Sequence, residues 1–247
     1  MERTCGKLFV IGIGPGGKLD RTRRAEQAIA SSHVIAGYKR YVKAIQDLTE
    51  NKEIIATGMT KEVERCRLAI EAALQGKTVS LISSGDPGIY AMAGLALEMI
   101  HYNNYQVDVE IIPGVTAASA TAALLGAPLM LDFAVISLSD LLVEWPYILR
   151  RVEAVASADL VVALYNPRSK KRVKQLEETV EILLNYRPPT TPVGIGTSVG
   201  YEDEHITLTT LGDLLSHDIG MSSLVIVGNT ETQLMGKWLV NPRGYKV

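Results

Sequence analysis

Short apolar runs rich in β-branched residues alternate along this chain with longer stretches whose apolar positions recur at helical spacing. The first run covers residues 7–13 and stops at Gly14-Pro15-Gly16-Gly17. A helix over residues 21–31 and a short strand over 34–36, closed by Gly37, follow. Across 61–75 the positions Val63, Cys66, Ile70, Ala73 and Leu74 recur at near-helical spacing. Glu62 and Glu64 sit in that helix's first turn, where the dipole favours acid, and Gly76 stops it. Residues 78–83 predict a buried strand running into Ser84-Gly85-Asp86-Pro87, where Asp86 can cap a helix that starts with Pro87. In 106–112, Val107, Val109 and Ile111 alternate with Asp108 and Glu110, the mark of a half-buried strand, and Pro113-Gly114 ends it.

A run of small residues from Ala117 to Ala123 predicts a helix thin enough to pack close to a neighbour, and Gly126-Ala127-Pro128 then breaks the chain. A second series has strands over 133–137, 160–164, 193–196, 205–208 and 223–227, with helices over 147–156 and 170–185. Its later strands are too closely spaced for crossover helices, so part of this half is antiparallel. The expectation is an α/β protein of two α/β domains, residues 1–116 with a mostly parallel sheet and residues 117–247 with a mixed sheet. The length of 247 residues allows either one large domain or two modest ones.

Composition narrows the function. Lys and Arg total 25 against 27 Asp and Glu, a net charge of −2, which disfavours a nucleic-acid partner. Two cysteines, Cys5 and Cys66, make neither a disulfide framework nor a four-ligand zinc site, and such sparse use suits a reducing compartment. The longest apolar stretches fall far short of the ~20 residues needed to span a bilayer, and no secretory segment opens the chain. A cytoplasmic protein with no membrane partner is expected. The histidines His33, His101, His205 and His217 show no metal-ligand spacing, so no metal site is expected. No Gly-x-Ser-x-Gly elbow offers a nucleophile.

Gly12-x-Gly14-x-x-Gly17 matches the dinucleotide-binding fingerprint in letters and follows a strand. A nicotinamide site also wants an acidic residue at the end of the second strand, and Val34-Ile35-Ala36-Gly37 has none there. Pro15 further removes an amide from the turn that would cradle the pyrophosphate. A bare structural turn and a different ligand loop remain. Gly85-Asp86-Pro87-Gly88-Ile89-Tyr90 places a carboxylate between glycines, suited to an ammonium or a pair of ribose hydroxyls, or to helix capping alone. Pro113-Gly114-Val115-Thr116-Ala117 is a third strand-end loop of the kind, and three such loops build a cleft for a small polar ligand. Arg168-Ser169-Lys170-Lys171-Arg172 is either a solvated helix face or an anion-binding rim.

These three loops resemble the signature loops of the tetrapyrrole methylases, the class III S-adenosylmethionine-dependent methyltransferases, and the resemblance runs nearly end to end. In the second half, Leu125-Gly126-Ala127-Pro128-Leu129, the string from Asp132 to Leu142, Leu164-Tyr165-Asn166-Pro167-Arg168-Ser169-Lys170-Lys171-Arg172 and Asn241-Pro242-Arg243-Gly244-Tyr245 resemble the family's ring-contracting branch. The resemblance implies two α/β domains with the active site in the cleft between them, a homodimer, and a carboxylate-rich tetrapyrrole as substrate. The implied activity is methylation of carbon 17 of precorrin-3B or its cobalt form, with ring contraction, in cobalamin biosynthesis. S-adenosyl-L-methionine is the implied methyl donor and S-adenosyl-L-homocysteine its product. Cofactor contacts carry over to Pro15, Ser84, Gly85, Asp86, Ile89, Thr116, Ala117, Tyr165, Gly200 and Ser223. Substrate contacts fall on Gly14 and Gly16, in a loop expected to line the tetrapyrrole, and on Arg168, Lys170, Lys171 and Arg172. The chain departs from the family's pattern at Leu131, where a His is expected, and at Tyr201, where many relatives carry Arg.

An electron-rich macrocycle carbon attacks an already activated methyl, so the protein need supply no nucleophile; alignment alone can supply ~7–11 kcal/mol. Ring contraction also needs a proton removed from a hydroxyl, for which Asp132, Ser137, Ser139 and Asp140 are the candidate catalytic groups. The competing readings are another corrin-pathway C-methyltransferase, a nicotinamide-dependent oxidoreductase argued from Gly12, Gly14 and Gly17, and a non-catalytic tetrapyrrole carrier.

Overall fold

The structure, a computed structural model, describes residues 6–246. Cys5 lies outside the described residues. The chain divides into two compact units, Met1–Thr116 and Ala117–Val247, each with its own core.

The first unit runs β1 (Lys7–Gly12), α1 (Arg23–Ser31), β2 (Val34–Tyr38), α2 (Lys39–Ala44), β3 (Glu53–Thr57), α3 (Glu62–Leu74), β4 (Thr78–Ser83), α4 (Met92–Tyr102) and β5 (Asp108–Ile112). Its five strands are all parallel, in the order β3-β2-β4-β1-β5. Because helices cover both faces, the central strands are apolar at successive positions. Leu8 and Val10 of β1 face Cys66, Ala69, Ile70 and Ala73 of α3 together with Ala93 and Ala96 of α4. Ile11 and Ile13 face Ala25, Ala28 and Ile29 of α1. Burial pushes the Cys66 thiol up to about 11, so it behaves as a small hydrophobe. Thr22 caps α1 by accepting from the Ala25 N–H at 3.1 Å. Gly76, at φ +86°, ends α3 in a Schellman turn: its N–H reaches Ala73 O and the Lys77 N–H reaches Ala72 O.

Sequence patterning and structure part at three places here. β3 was not foreseen: as the edge strand it leaves Glu53, Ile54 and Ala56 exposed, so it lacks a buried run. α2 is six residues long and carries Lys39, Arg40 and Lys43, with no apolar period to reveal it. The helix expected to start at Pro87 starts at Met92 instead. Asp86 turns its carboxylate back on the Gly88 N–H at 2.8 Å, and Tyr90 takes a φ of +53°, so residues 86–91 are a turn.

The second unit runs α5 (Ala117–Leu125), β6 (Gly126–Ala127), β7 (Phe133–Ser137), α6 (Trp145–Ser157), β8 (Val161–Tyr165), α7 (Lys174–Leu184), β9 (Pro192–Thr197), β10 (His205–Thr210), β11 (Ser223–Val227), β12 (Gln233–Met235) and β13 (Trp238–Val240). Its main sheet, β10-β9-β11-β8-β7, is mixed as expected: β7 and β8 are parallel, and the other pairs antiparallel. Three short strands, β12-β13-β6, form a small second sheet that the sequence pattern did not reveal.

Period-two alternation sorts the main sheet's faces. Val162, Leu164, Val225 and Val227 meet Ile148, Val152, Leu176 and Val180 of α6 and α7. Val161, Ala163, Leu224 and Ile226 meet Ala118, Ala122 and Leu125 of α5. Two glycines in β9 let α5 approach closely: a Cβ on Gly194 would lie 2.3 Å from Leu125, and one on Gly196 would lie 2.6 Å from Thr121. The helix expected over 170–185 begins at Lys174, so residues 168–172 form a loop and no solvated helix face. At the far edge, buried Arg187 donates to Gly228 O and Leu160 O, both at 2.6 Å, with its Nε 3.6 Å from the Asp159 carboxylate.

Candidate active site

In the first unit, β4, β1 and β5 are neighbours, so the three glycine-bearing loops leave their carboxyl ends side by side. That is the edge at which open parallel sheets bind ligands. The loops touch backbone to backbone. A Cβ on Gly12 would sit 2.4 Å from Gly85 O and 2.8 Å from Gly114 N, and one on Gly114 would sit 2.2 Å from Gly85 O. Gly14 and Gly85 exchange hydrogen bonds, Gly14 N–H to Gly85 O at 3.2 Å and Gly85 N–H to Gly14 O at 2.7 Å. Both take positive φ, +78° and +65°. Asp86 ties the arrangement across: Oδ2 accepts from the Gly114 N–H at 3.1 Å while Oδ1 accepts from Gly88.

This geometry explains the dinucleotide letters without a dinucleotide. Gly12 is required by the close approach of the loops and Gly14 by its positive φ and the nearness of Asp20 O, and β2 ends in Tyr38 with no acidic residue. Pro15 is buried, Gly16 half-buried, and Ile89 and Tyr90 are exposed beside Asp86. Thr116 closes the third loop.

In the second unit the parallel strands β7 and β8 bring Ser137 opposite Tyr165. The antiparallel strands β11 and β9 place Ser223 and Thr197 on this same sheet edge. The Tyr165 hydroxyl accepts from the Ala118 N–H at 2.9 Å. Ser137 Oγ accepts from Asn166 Nδ2 at 3.0 Å and from the Ser139 N–H at 3.3 Å. Asp140 accepts from Gln175 Nε2 at 2.8 Å and lies 4.0 Å from Arg172 Nε. Ser223 Oγ accepts from the Gly220 N–H and lies 3.1 Å from Thr197 Oγ1. Gly200, at φ +81°, donates its N–H to Glu204 at 2.7 Å.

Two expected residues stand elsewhere. Asp132 precedes the amino end of β7, so about 16 Å of strand separates it from Ser137; the structure gathers Ser137, Ser139 and Asp140 without it. Arg172 does not extend outward with the other cations of its loop. Its guanidinium donates to Leu138 O at 2.9 Å and to Asn166 O, joining the loops after β7 and β8, and burial lowers its pKa. Arg168 is half-buried, while Lys170 and Lys171 are exposed.

Residues 7–215 match the family model described as Tetrapyrrole (Corrin/Porphyrin) Methylases. The chain belongs to the tetrapyrrole methylase family. This methylase is 49% identical over 98% of its length to the cobalt-factor III methyltransferase of Priestia megaterium, and spans only 45% of that longer protein. It is 48% identical to the probable cobalt-factor III C(17)-methyltransferase of Salmonella typhimurium, covering 96% of this chain and 99% of that one. The solved structure of the methyltransferase CobJ superposes with a TM-score of 0.90 at 34% identity, over 96% of this chain and 100% of that one.

Among the described residues of this methylase, no group of three or more His, Cys, Asp or Glu is arranged to hold a metal ion. No described helix is long and apolar enough to cross a membrane. Sequence patterning did not single out Gln175, which holds Asp140, because its signal is a contact between distant elements. It likewise passed over the pairing of Arg21 with Asp47.

Proposed function

We propose that this tetrapyrrole methylase transfers a methyl group from S-adenosyl-L-methionine to carbon 17 of precorrin-3B or its cobalt form, with ring contraction, in cobalamin biosynthesis. The observation that carries this reading is agreement over almost the whole chain with two relatives named for cobalt-factor III methylation, one of them of nearly the same length.

The residues of the first unit fit the methyl donor. Each Asp86 oxygen accepts one backbone N–H and keeps a lone pair for an ammonium or ribose hydroxyl. Ser83 Oγ is buried beside these loops with no hydrogen-bond partner, and Ile89 offers an exposed apolar surface. In this reading Pro15, Ser84, Gly85, Asp86, Ile89 and Thr116 of the first unit hold the cofactor; Ala117, Tyr165, Gly200 and Ser223 are the further cofactor contacts that the family resemblance implies. Bound there, the cofactor supplies a methyl on a sulfonium, so that a carbon–sulfur bond breaks as a carbon–carbon bond forms.

The chain's own residues orient the reactants. The Gly12, Gly85 and Gly114 contacts fix the donor loops through their backbones. Asp140, held by Gln175, is the group proposed to take the proton that ring contraction releases, with Ser137, held by Asn166, proposed to relay it. Arg168, Lys170 and Lys171 are the proposed partners of the substrate carboxylates, with Arg172 shaping their loop from inside. A homodimer in the cytoplasm completes the reading, supported by the exposed Leu141 and Leu142 at 75% and 94%.

Thermal shift tests the donor. S-adenosylhomocysteine at 100 times its Kd is expected to stabilise the fold by about 2.7 kcal/mol, and NAD to leave it unmoved. Stabilisation by NAD alone would return the oxidoreductase reading.

A further inference from the structure

Between the first glycine loop and α1 lies a 3-10 turn, Lys18–Asp20, with no buried residue and with Leu19 99% exposed. Apolar packing therefore does not fix it. Yet the turn presses on the loop: a Cβ on Gly14 would meet Asp20 O at 2.7 Å. What fixes the turn is Arg21, which follows it with a side chain only 1% exposed.

The Arg21 guanidinium forks onto one carboxylate, Nη1 to Asp47 Oδ2 at 3.0 Å and Nη2 to Asp47 Oδ1 at 3.1 Å. Nη2 also donates to Ala44 O at 2.6 Å, and Lys18 Nζ lies 3.3 Å from Asp47 Oδ2. Ala44 ends α2, the continuation of β2, and β4 stands between β2 and β1 in the sheet. The fork thus bridges two loop segments that share no strand pairing. A bidentate pair fixes direction as well as distance, which a lysine ammonium cannot do.

We propose that the Arg21–Asp47 pair is a positioning device that sets the loop of residues 14–17, governing affinity for the tetrapyrrole far more than affinity for the methyl donor, of whose proposed contacts only Pro15 lies in this loop. The proposal rests on the reading that this loop lines the tetrapyrrole. Arg187 is the internal control, because it is a buried arginine hydrogen-bonded to two carbonyls and ion-paired with one carboxylate at the edge of the second unit's sheet away from Ser137 and Tyr165.

The experiment compares Arg21→Lys, Asp47→Asn, Arg187→Lys and Gly16→Val in the full chain, measuring Tm, KM for cobalt-factor III and Kd for S-adenosylhomocysteine. Arg21→Lys and Asp47→Asn are each expected to raise the tetrapyrrole KM about tenfold, with kcat and the S-adenosylhomocysteine Kd within about twofold of the parent. Arg187→Lys is expected to lower Tm at least as much and to leave both constants alone. A parent-like KM in Arg21→Lys, or equal weakening of both ligands, overturns the proposal. If Arg21→Lys does not fold, Asp47→Asn, whose carboxylate is partly exposed, decides by the same two readings. Gly16→Val separates the two claims. An unchanged KM in that variant removes the loop reading and the proposal together, whereas a raised KM beside a flat Arg21→Lys removes the positioning role alone.

Discussion

The two units build their functional edges from different materials. In the first, glycines stand at strand ends, and the loops lock through backbone contacts of Gly12, Gly85 and Gly114 with one carboxylate, Asp86, laid across them. In the second, glycines stand inside a strand, where Gly194 and Gly196 admit α5, and the edge is tied by side chains: Arg172, Asn166, Gln175 and Tyr165. A backbone lock has no slack, because an added Cβ must displace a carbonyl. A side-chain lock can loosen by degrees. The first unit is therefore expected to fail abruptly under substitution and the second gradually.

Gly114→Ala is the hardest blow to that contrast, since its Cβ would fall 2.2 Å from Gly85 O. It is expected to cost more than about 4 kcal/mol in denaturant melts and to abolish S-adenosylhomocysteine binding. A cost near 1 kcal/mol would show that the loops yield. Arg172→Ala leaves the Leu138 and Asn166 carbonyls without their donor, an expected loss of about 1.5–3 kcal/mol with the fold retained and turnover reduced. Gly194→Ala meets the Leu125 side chain instead of backbone, so about 1–3 kcal/mol is expected, toward the low end.

The smallest effect belongs to Asp47→Asn, below about 1 kcal/mol at neutral pH because the pair is partly solvated. Hydrogen bonding from Arg21 holds the Asp47 carboxyl below its ordinary value. Its stabilisation is present above the unfolded pKa of about 3.9 and is lost as pH falls through the folded value. Parent and variant stabilities should therefore converge in acid; a gap that widens there would contradict the assignment.

Much of the fold was legible because the buried strands of both sheets carry apolar runs, and because the spacing of 193–227 left no room for crossovers. What stayed hidden was short, exposed or charged: the edge strand β3 with three of its five residues exposed, the six-residue α2, and β6, β12 and β13 at two or three residues each. The first unit's site was legible as loops, since the glycines and Asp86 are contiguous with strand ends. Their mutual contact was not, because it depends on β4 and β5 flanking β1. Asp132 shows the converse limit: it lies close to Ser137 and Asp140 in sequence, but strand β7 carries it to the opposite edge of the sheet.

Methyl transfer to carbon 17 is put to the test by anaerobic turnover of precorrin-3B and of cobalt-factor III with S-adenosylmethionine carrying a 13C methyl, followed by mass and carbon NMR spectra. One labelled methyl on carbon 17 of a ring-contracted product is expected. A label on another carbon, or none with the macrocycle bound, would contradict it.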